Sequence, residues 1–253
     1  MAKLEFLGTG TSTGVPQGLC SCEVCRSTDS RDKRLRCSSL LTIGDTNILI
    51  DCSPDFRYQA LRSNITHISA LLFTHAHSDH MGGIDDLRPY CTYSPLPIYA
   101  EQRVIDNIKE RLPYCFMQNP YPGIPRLDTY PIAPYEPFTV DGIEITPLRV
   151  MHYNLPIVGF RIGTMAYITD CLTMPDVTKE QLRGLDILVI NALRRTEHIS
   201  HQTLDDALAL IRELSPREAY LIHMSHDMGL HAEIEKILPP HVHFAYDGLC
   251  VTI

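Results

Sequence analysis

The stretch that decides the fold reads Phe73-Thr74-His75-Ala76-His77-Ser78-Asp79-His80-Met81-Gly82-Gly83. Three histidines and an aspartate stand within the six residues 75–80. Imidazole and carboxylate are the ligands that suit zinc and neighbouring transition metals. The preceding Ser69-Ala70-Leu71-Leu72-Phe73-Thr74 reads as a short buried strand. Gly82-Gly83 lets the backbone turn closely. A tight loop at a strand end can converge four such groups on one point, so the stretch predicts a metal loop.

Working outward, the same device recurs. An apolar strand runs into a histidine or an aspartate at His75, His152, Asp170 and His223. Strand ends along one sheet edge can meet in one cleft, and rigid elements hold metal ligands well. Four such positions predict one metal site. Asp51 ends another strand-like run, Asn47-Ile48-Leu49-Ile50, and is placed to orient a ligating histidine from behind. Thr203 is read as the cap of a helix over 204–214, and Ser53 as the cap of a helix opening at Pro54.

A second cluster is Cys20-Ser21-Cys22-Glu23-Val24-Cys25. Three thiols in C-x-C-x-x-C spacing can meet one tetrahedral ion, and zinc usually wants a fourth ligand. That ligand must come from elsewhere in the chain. Residues 27–37 are rich in charge and read as a solvated loop. The glycines of Gly8-Thr9-Gly10 are not followed by Gly-Lys-Ser/Thr, so a nucleotide P-loop is not expected. Residues 113–137 hold seven of the 18 prolines, interleaved with Tyr114, Phe116, Tyr121, Tyr130 and Tyr135. Proline blocks helix and removes donors. A long semi-rigid loop is expected there, serving as a lid, as a dimer contact or as plain surface.

The 253 residues suit one domain spanning 1–253, with the knuckle at 18–37 and the Pro/Tyr-rich loop at 113–137. A net charge of −8 argues against nucleic acid as a partner, because sequence-independent binding needs a basic surface. It does not exclude a small phosphate-bearing substrate at a site whose metals supply positive charge. The N-terminal run is too short in apolar residues for a signal peptide. No apolar stretch reaches the ~18 residues of a membrane span. Of the nine cysteines, the six scattered ones are then expected to be reduced core thiols, and the location cytoplasmic.

The order T-H-A-H-S-D-H, a strand-end His, T-D and a strand-end His resembles the metallo-β-lactamase fold superfamily across essentially the whole chain. The resemblance implies an α/β (α+β) fold, an αββα sandwich of two mixed β-sheets with helices on the outer faces. It also implies two divalent metal ions, zinc or manganese. His75, His77 and His152 would hold one, Asp79, His80 and His223 the other, and Asp170 would bridge them. Within the superfamily the chain is similar to the cyclic phosphodiesterases of phosphonate breakdown, which open phosphoribosyl 1,2-cyclic phosphate. Those enzymes carry one structural zinc on a cysteine knuckle and a histidine. Here that set matches Cys20, Cys22, Cys25 and His226, which supplies the fourth ligand. Their general acid matches His201, with His198 as the alternative. The chain departs from their pattern in its longer 113–137 segment and in Cys171 after Asp170.

The activity implied is hydrolysis of a small phosphodiester. Paired divalent ions lower the pKa of water and neutralise phosphoryl charge. Arg88, Arg194 and Arg195 are candidate phosphate anchors, since guanidinium suits phosphate geometry. A tRNA 3′-processing nuclease and a thioester or lactone hydrolase share the metal motif and stand as alternatives. Dimers are common among the proteins resembled, so a homodimer is among the expectations.

Overall fold

The computed structural model describes residues 2–117 and 123–253. Fourteen strands and seven α-helices are present among them. The first sheet takes β1 (Ala2–Gly8), β2 (Ser38–Ile43), β3 (Thr46–Ile50), β4 (Ala70–Leu72), β5 (Leu96–Ala100) and β6 (Leu127–Pro131). The second takes β7 (Phe138–Val140), β8 (Ile143–His152), β9 (Leu155–Ile162), β10 (Met165–Tyr167), β11 (Ile187–Asn191), β12 (Glu218–Ile222) and β13 (Val242–Phe244). The last strand, β14 (Cys250–Thr252), returns to pair antiparallel with β1. The helices are α1 (Glu23–Arg26), α2 (Phe56–Arg62), α3 (Ser78–Met81), α4 (Gln102–Arg111), α5 (Asp176–Gln181), α6 (Leu204–Leu214) and α7 (His231–Ile237).

Each sheet is built the same way. β14-β1-β2-β3 are antiparallel and β3-β4-β5-β6 parallel; β7-β8-β9-β10 are antiparallel and β10-β11-β12-β13 parallel. Alternation along the strands sorts the core into layers. Leu4, Phe6, Leu41, Ile48 and Ile50 of the first sheet pack with Val158, Phe160, Tyr167, Ile187 and Val189 of the second, filling the sandwich. Leu40, Leu49 and Leu71 turn the other way, onto Phe56 of α2 and Val104, Ile105 and Ile108 of α4. Leu188, Ile190 and Leu221 likewise turn onto Ala207, Ile211 and Leu214 of α6. This is the αββα sandwich. Both faces of the central strands are buried, so their sequences are continuously apolar.

Helix α6 begins where its sequence signals. Thr203 Oγ1 accepts from Asp206 N at 3.2 Å, and Thr203 N donates back to Asp206 Oδ2 at 3.0 Å. Helix α2 starts later than expected. Its cap is Asp55, whose carboxylate binds Arg36 rather than the helix end, and the Ser53 hydroxyl accepts from Asp55 N within the preceding turn. No described helix is long and apolar enough to cross a membrane.

Two expectations are corrected. The 113–137 segment is not simply a loop. Residues 113–116 form a 3₁₀ turn and 127–131 form β6, paired parallel with β5; Pro120, Tyr121 and Pro122 lie outside the described residues. Strand β6 is the sheet edge, where a proline's missing donor costs no ladder bond. Nor is the charged run 27–37 solvated throughout. Asp32 and Arg34 are buried. Asp32 accepts from Ser27 Oγ and from His231 N at 2.7 Å. Arg34 donates to Thr9 Oγ1 and the Ala245 carbonyl, lies 4.4 Å over the Phe244 ring, and reaches His231 Nδ1 at 3.3 Å. Charges that find this many partners can be buried.

The guanidinium is always a donor, so His231 Nδ1 must be the acceptor and the ring neutral. Burial, then the positive charge of Arg34, pushes the His231 pKa down to about 4 from 6.5. A lowered histidine pKa contributes stability that is complete above pH 6.5 and is lost as pH falls through the window to about 4. Thermal midpoints should therefore fall more steeply across that window in wild type than in His231→Gln. Parallel curves for the two proteins would contradict this.

Candidate active site

The parallel halves of the sheets send their C-terminal strand ends to one cleft, where open α/β sheets place ligands. After β3, Asp51 turns the chain with φ +58°; after β12, His223 does so with φ +59°; beyond β10, Asp170 has φ +54°. This left-handed region is uncommon for residues other than glycine and marks functional sites. Each turn breaks the ladder and swings a polar side chain over the sheet edge.

Asp51 sits under the metal loop. The segment after it lies so close that a Cβ on Gly83 would stand 2.1 Å from the Ser53 carbonyl oxygen, so only glycine fits. Cys52 N donates to His80 O at 2.7 Å, and Gly83 N to Cys52 O at 2.9 Å. In that position the fully buried Asp51 carboxylate accepts from His80 Nδ1 at 2.7 Å. It also accepts from Thr74 N at 2.9 Å and from the Thr74 hydroxyl at 2.9 Å. The Thr74 oxygen in turn accepts from His75 Nδ1 at 2.9 Å. His152 Nδ1 donates to the Ser200 carbonyl at 2.9 Å. Each of these three rings thus has its proton held on Nδ1, and Nε2 left as a lone pair facing the cleft.

The remaining groups converge on those lone pairs. His80 Nε2 lies 3.0 Å from Asp170 Oδ2 and 3.4 Å from Asp79 Oδ2, aligned as a hydrogen bond to neither. His223 Nε2 lies 3.2 Å from Asp170 Oδ1 and 3.5 Å from Asp79 Oδ2. The rings of His75, His77 and His152 form a triangle with centroids 4.6, 5.1 and 5.8 Å apart. His201 is buried, with Nδ1 3.5 Å from Asp170 Oδ1 and its ring 4.6 Å from that of His152. His198 stands 5.2 Å from His201, half-buried at the cleft's edge.

The electrostatics call for a cation. Burial works against a charged His80, yet Asp170, Asp51 and Asp79 override it and hold its pKa well above the ordinary value. Burial likewise opposes charge on Asp170, but His223 and His80 hold it well below the ordinary carboxylate value. Burial drives His75 well down. His201 is pushed down to about 3, by burial first and by His223 next. Buried polar atoms are nearly always partnered. Here the Nε2 atoms of His75, His80 and His223 have none among the described residues. Orphaned imidazole nitrogens facing buried carboxylates fit divalent metal ions.

The second cluster also closes. Cys20, Cys22, Cys25 and His226 place their ligand atoms within 4.8 Å of one another. His226 Nδ1 is 3.7 Å from Cys20 Sγ and 3.4 Å from Cys22 Sγ. Its Nε2 donates to Gln17 Oε1 at 3.0 Å, which leaves Nδ1 as the lone pair. The Cys22 thiol is drawn down to about 7, chiefly by the Cys25 backbone N–H. A few apolar side chains, Val15, Val24 and Leu230, pack beside these thiols, too small a core to hold the knuckle alone. The donor set and tautomer fit zinc.

Of the three arginines proposed as anchors, Arg88 and Arg194 are engaged with other groups. Arg88 binds both carboxylate oxygens of Asp85 at 2.8 Å and the Gly123 carbonyl. Arg194 braces its own loop through Thr196 O and Glu197 O. Arg195 is exposed beside Asp205 and Leu238, on the α6–α7 side. Residues that sequence reasoning passed over are Thr74, Gln17 and the Ser200 carbonyl. A threonine in a strand or a backbone oxygen gives no signal in one dimension.

The chain belongs to the beta-lactamase superfamily, whose domain model matches residues 46–224. Among solved structures it is similar to a new diphosphatase from the PhnP family, with TM-score 0.93 and 38% identity over 99% of this chain and 96% of that one. It is also similar to the zinc-bound PqqB of Methylobacterium extorquens, with TM-score 0.82 and 20% identity over 99% and 100%, a likeness of fold alone. Among curated proteins, an octanoyltransferase of Porphyromonas gingivalis is 51% identical over 250 residues, 96% of this chain but 50% of that protein. The chain thus spans about half the length of that relative. Its fold is that of the metallo-β-lactamases.

Cys22→Ser tests the knuckle. The variant should lose about one zinc per chain and unfold at lower temperature, since metal binding at such sites is folding free energy. Unchanged zinc content by elemental analysis would remove the knuckle as a metal site.

Proposed function

We propose that the chain is a dinuclear metal-dependent phosphodiesterase acting on a small, cyclic or linear phosphodiester, of which phosphoribosyl 1,2-cyclic phosphate is the leading candidate. The observation that carries this reading is the pairing of two sites at one turn. His223 faces the carboxylates of the cleft, and His226, three residues on, faces the cysteine knuckle. The likeness to a PhnP-family diphosphatase, whose name denotes phosphoryl cleavage, supports it.

Asp79, His80 and His223 would hold one ion, His75, His77 and His152 the other, with Asp170 between them. Such ions supply Lewis acidity and a water that ionises near neutral pH, with zinc and manganese both accepted by this donor set. The protein's own groups do the rest. Asp51 and Thr74 keep His80 and His75 in one tautomer, and the Ser200 carbonyl does so for His152. His201 gives the proton to the leaving oxygen. Burial keeps its ring neutral in the free site. An anionic phosphodiester alongside favours the imidazolium, so the charge arrives with the substrate.

A second reading is hydrolysis of an acyl thioester by the same groups. The half-length match to an octanoyltransferase favours it. That name belongs to a protein twice this length, and a hydrolytic cleft is the weaker fit to group transfer. A small anionic substrate in the cytoplasm is the setting proposed; net charge −8 speaks against an RNA substrate.

A panel of cyclic phosphates, bis-p-nitrophenyl phosphate and octanoyl thioesters should show metal-dependent turnover of the phosphodiesters, lost on chelation and in His75→Ala. Turnover of thioesters alone would overturn the phosphodiesterase reading. His201→Ala should cost ~10²–10⁴-fold in kcat on an alkyl leaving group, the usual range for a general acid, but under about tenfold on p-nitrophenolate. Equal losses on both would remove His201 as the acid.

A further inference from the structure

The geometry points to Asn191 as a positioning residue of this site: its carboxamide holds the backbone of Cys171, and through it both the Asp170 carboxylate and His201. Asn191 is the last residue of β11 and is fully buried. The four residues before it, Ile187 to Ile190, are all apolar, so an amide in this place is conspicuous.

The ladder between β10 and β11 ends early. Its last paired residues are Tyr167 and Val189, with one further bond from Ile168 N to Val189 O. Past that point the chain turns through Asp170 at φ +54°, out of the β11 ladder, and meets a strand again at Leu172 and Thr173, which bond to Met151 of β8. Between the two, the side chain of Asn191 stands in for the β11 pairing that has stopped. Its Oδ1 accepts from Cys171 N at 2.7 Å, and its Nδ2 donates to Cys171 O at 2.9 Å. One planar amide thus pairs both polar groups of a single residue, as a neighbouring strand would.

Cys171 is where two parts of the site join. On one side is Asp170, whose two carboxylate oxygens reach His80 and His223. On the other, the Cys171 carbonyl also accepts from Gln202 N at 3.3 Å, next to His201. The 3.5 Å spacing of His201 Nδ1 and Asp170 Oδ1 is therefore set through the residue that Asn191 grips. Thr169 adds a direct bond to Asp170 Oδ2 at 2.8 Å, but it cannot fix the backbone turn. Both hydrogen bonds of the Asn191 carboxamide go to Cys171, so it acts on the carboxylate and the imidazole through position. Groups behind metal ligands typically change metal affinity by 10–100-fold when removed.

This inference rests on the dinuclear reading of the cleft, and the test separates the two. Asn191→Leu keeps the volume and removes both bonds. Asn191→Asp keeps an acceptor for Cys171 N and turns a second acceptor toward Cys171 O. Leu214→Ala, a core change under the same sheet, serves as the control for stability alone. All are loaded with cobalt and titrated with a competing chelator. The sulfur-to-cobalt absorption reports the knuckle separately from the histidine site. The Leu variant should release the histidine-site cobalt at about 10–100-fold lower chelator, with the Asp variant between it and wild type. Leu214→Ala should lower the thermal midpoint but hold cobalt as wild type does. Wild-type cobalt affinity in Asn191→Leu, whatever its thermal midpoint, would overturn the role. Should that variant not fold, wild-type affinity in Asn191→Asp overturns it equally. A wild-type histidine site that takes up no cobalt defeats the dinuclear reading instead.

Discussion

Three carboxylates, those of Asp51, Asp79 and Asp170, are gathered around one buried imidazole, His80. Taking such charges out of water is costly unless they are paired. A neutral ring with its proton on Nδ1 cannot balance three anions. The cluster therefore demands positive charge, and the orphaned nitrogens of His75, His80 and His223 are turned to receive it. Much of the local structure serves to keep these groups in place. The close approach at Gly83 brings Asp51 under the loop, and the left-handed turns aim Asp170 and His223 inward.

The sandwich is what makes this gathering possible. Each sheet runs from antiparallel into parallel strands, so several chain segments end on the same edge. A parallel strand buried on both faces is rigid, and a side chain one residue beyond it inherits that rigidity. The antiparallel β8–β9 pair contributes His152 to the same edge. Ligands separated by more than a hundred residues in sequence thereby hold one spacing. Where the ladder stops short, as after β10, a side chain supplies the missing pairing.

A second layer of polar structure ties the N-terminal third to the C-terminus. Arg34, Asp32 and His231 join residues 27–37 to the start of α7, and Asp247 receives Thr9 N at 2.9 Å. Met224 is stitched to Thr9 and Thr11 by two backbone bonds. The turn holding His223 and His226 is thus fixed from both sides. The knuckle borrows its order from this frame, since its own apolar contacts are few.

Much of this was legible in one dimension. The six residues 75–80 are dense enough in ligands to declare a metal loop, and strands ending in His152, Asp170 and His223 repeat the signal. Apolar runs and the Thr203 cap place strands and helices because local periodicity and capping are properties of neighbouring residues. What could not be read were the relations among distant residues. Nothing adjacent to Thr74 or Asn191 says which backbone they will face. The charge of Asp32 and Arg34 argued for solvent, and it took partners as far along the chain as His231 and Ala245 to complete the set that allows their burial. Proline-rich residues 113–137 looked like loop because proline breaks ladders, yet an edge strand has no ladder on its outer side to break. Local chemistry names the ligands, but hydrogen bonding and desolvation are settled between segments, and those meet only when the sheets close.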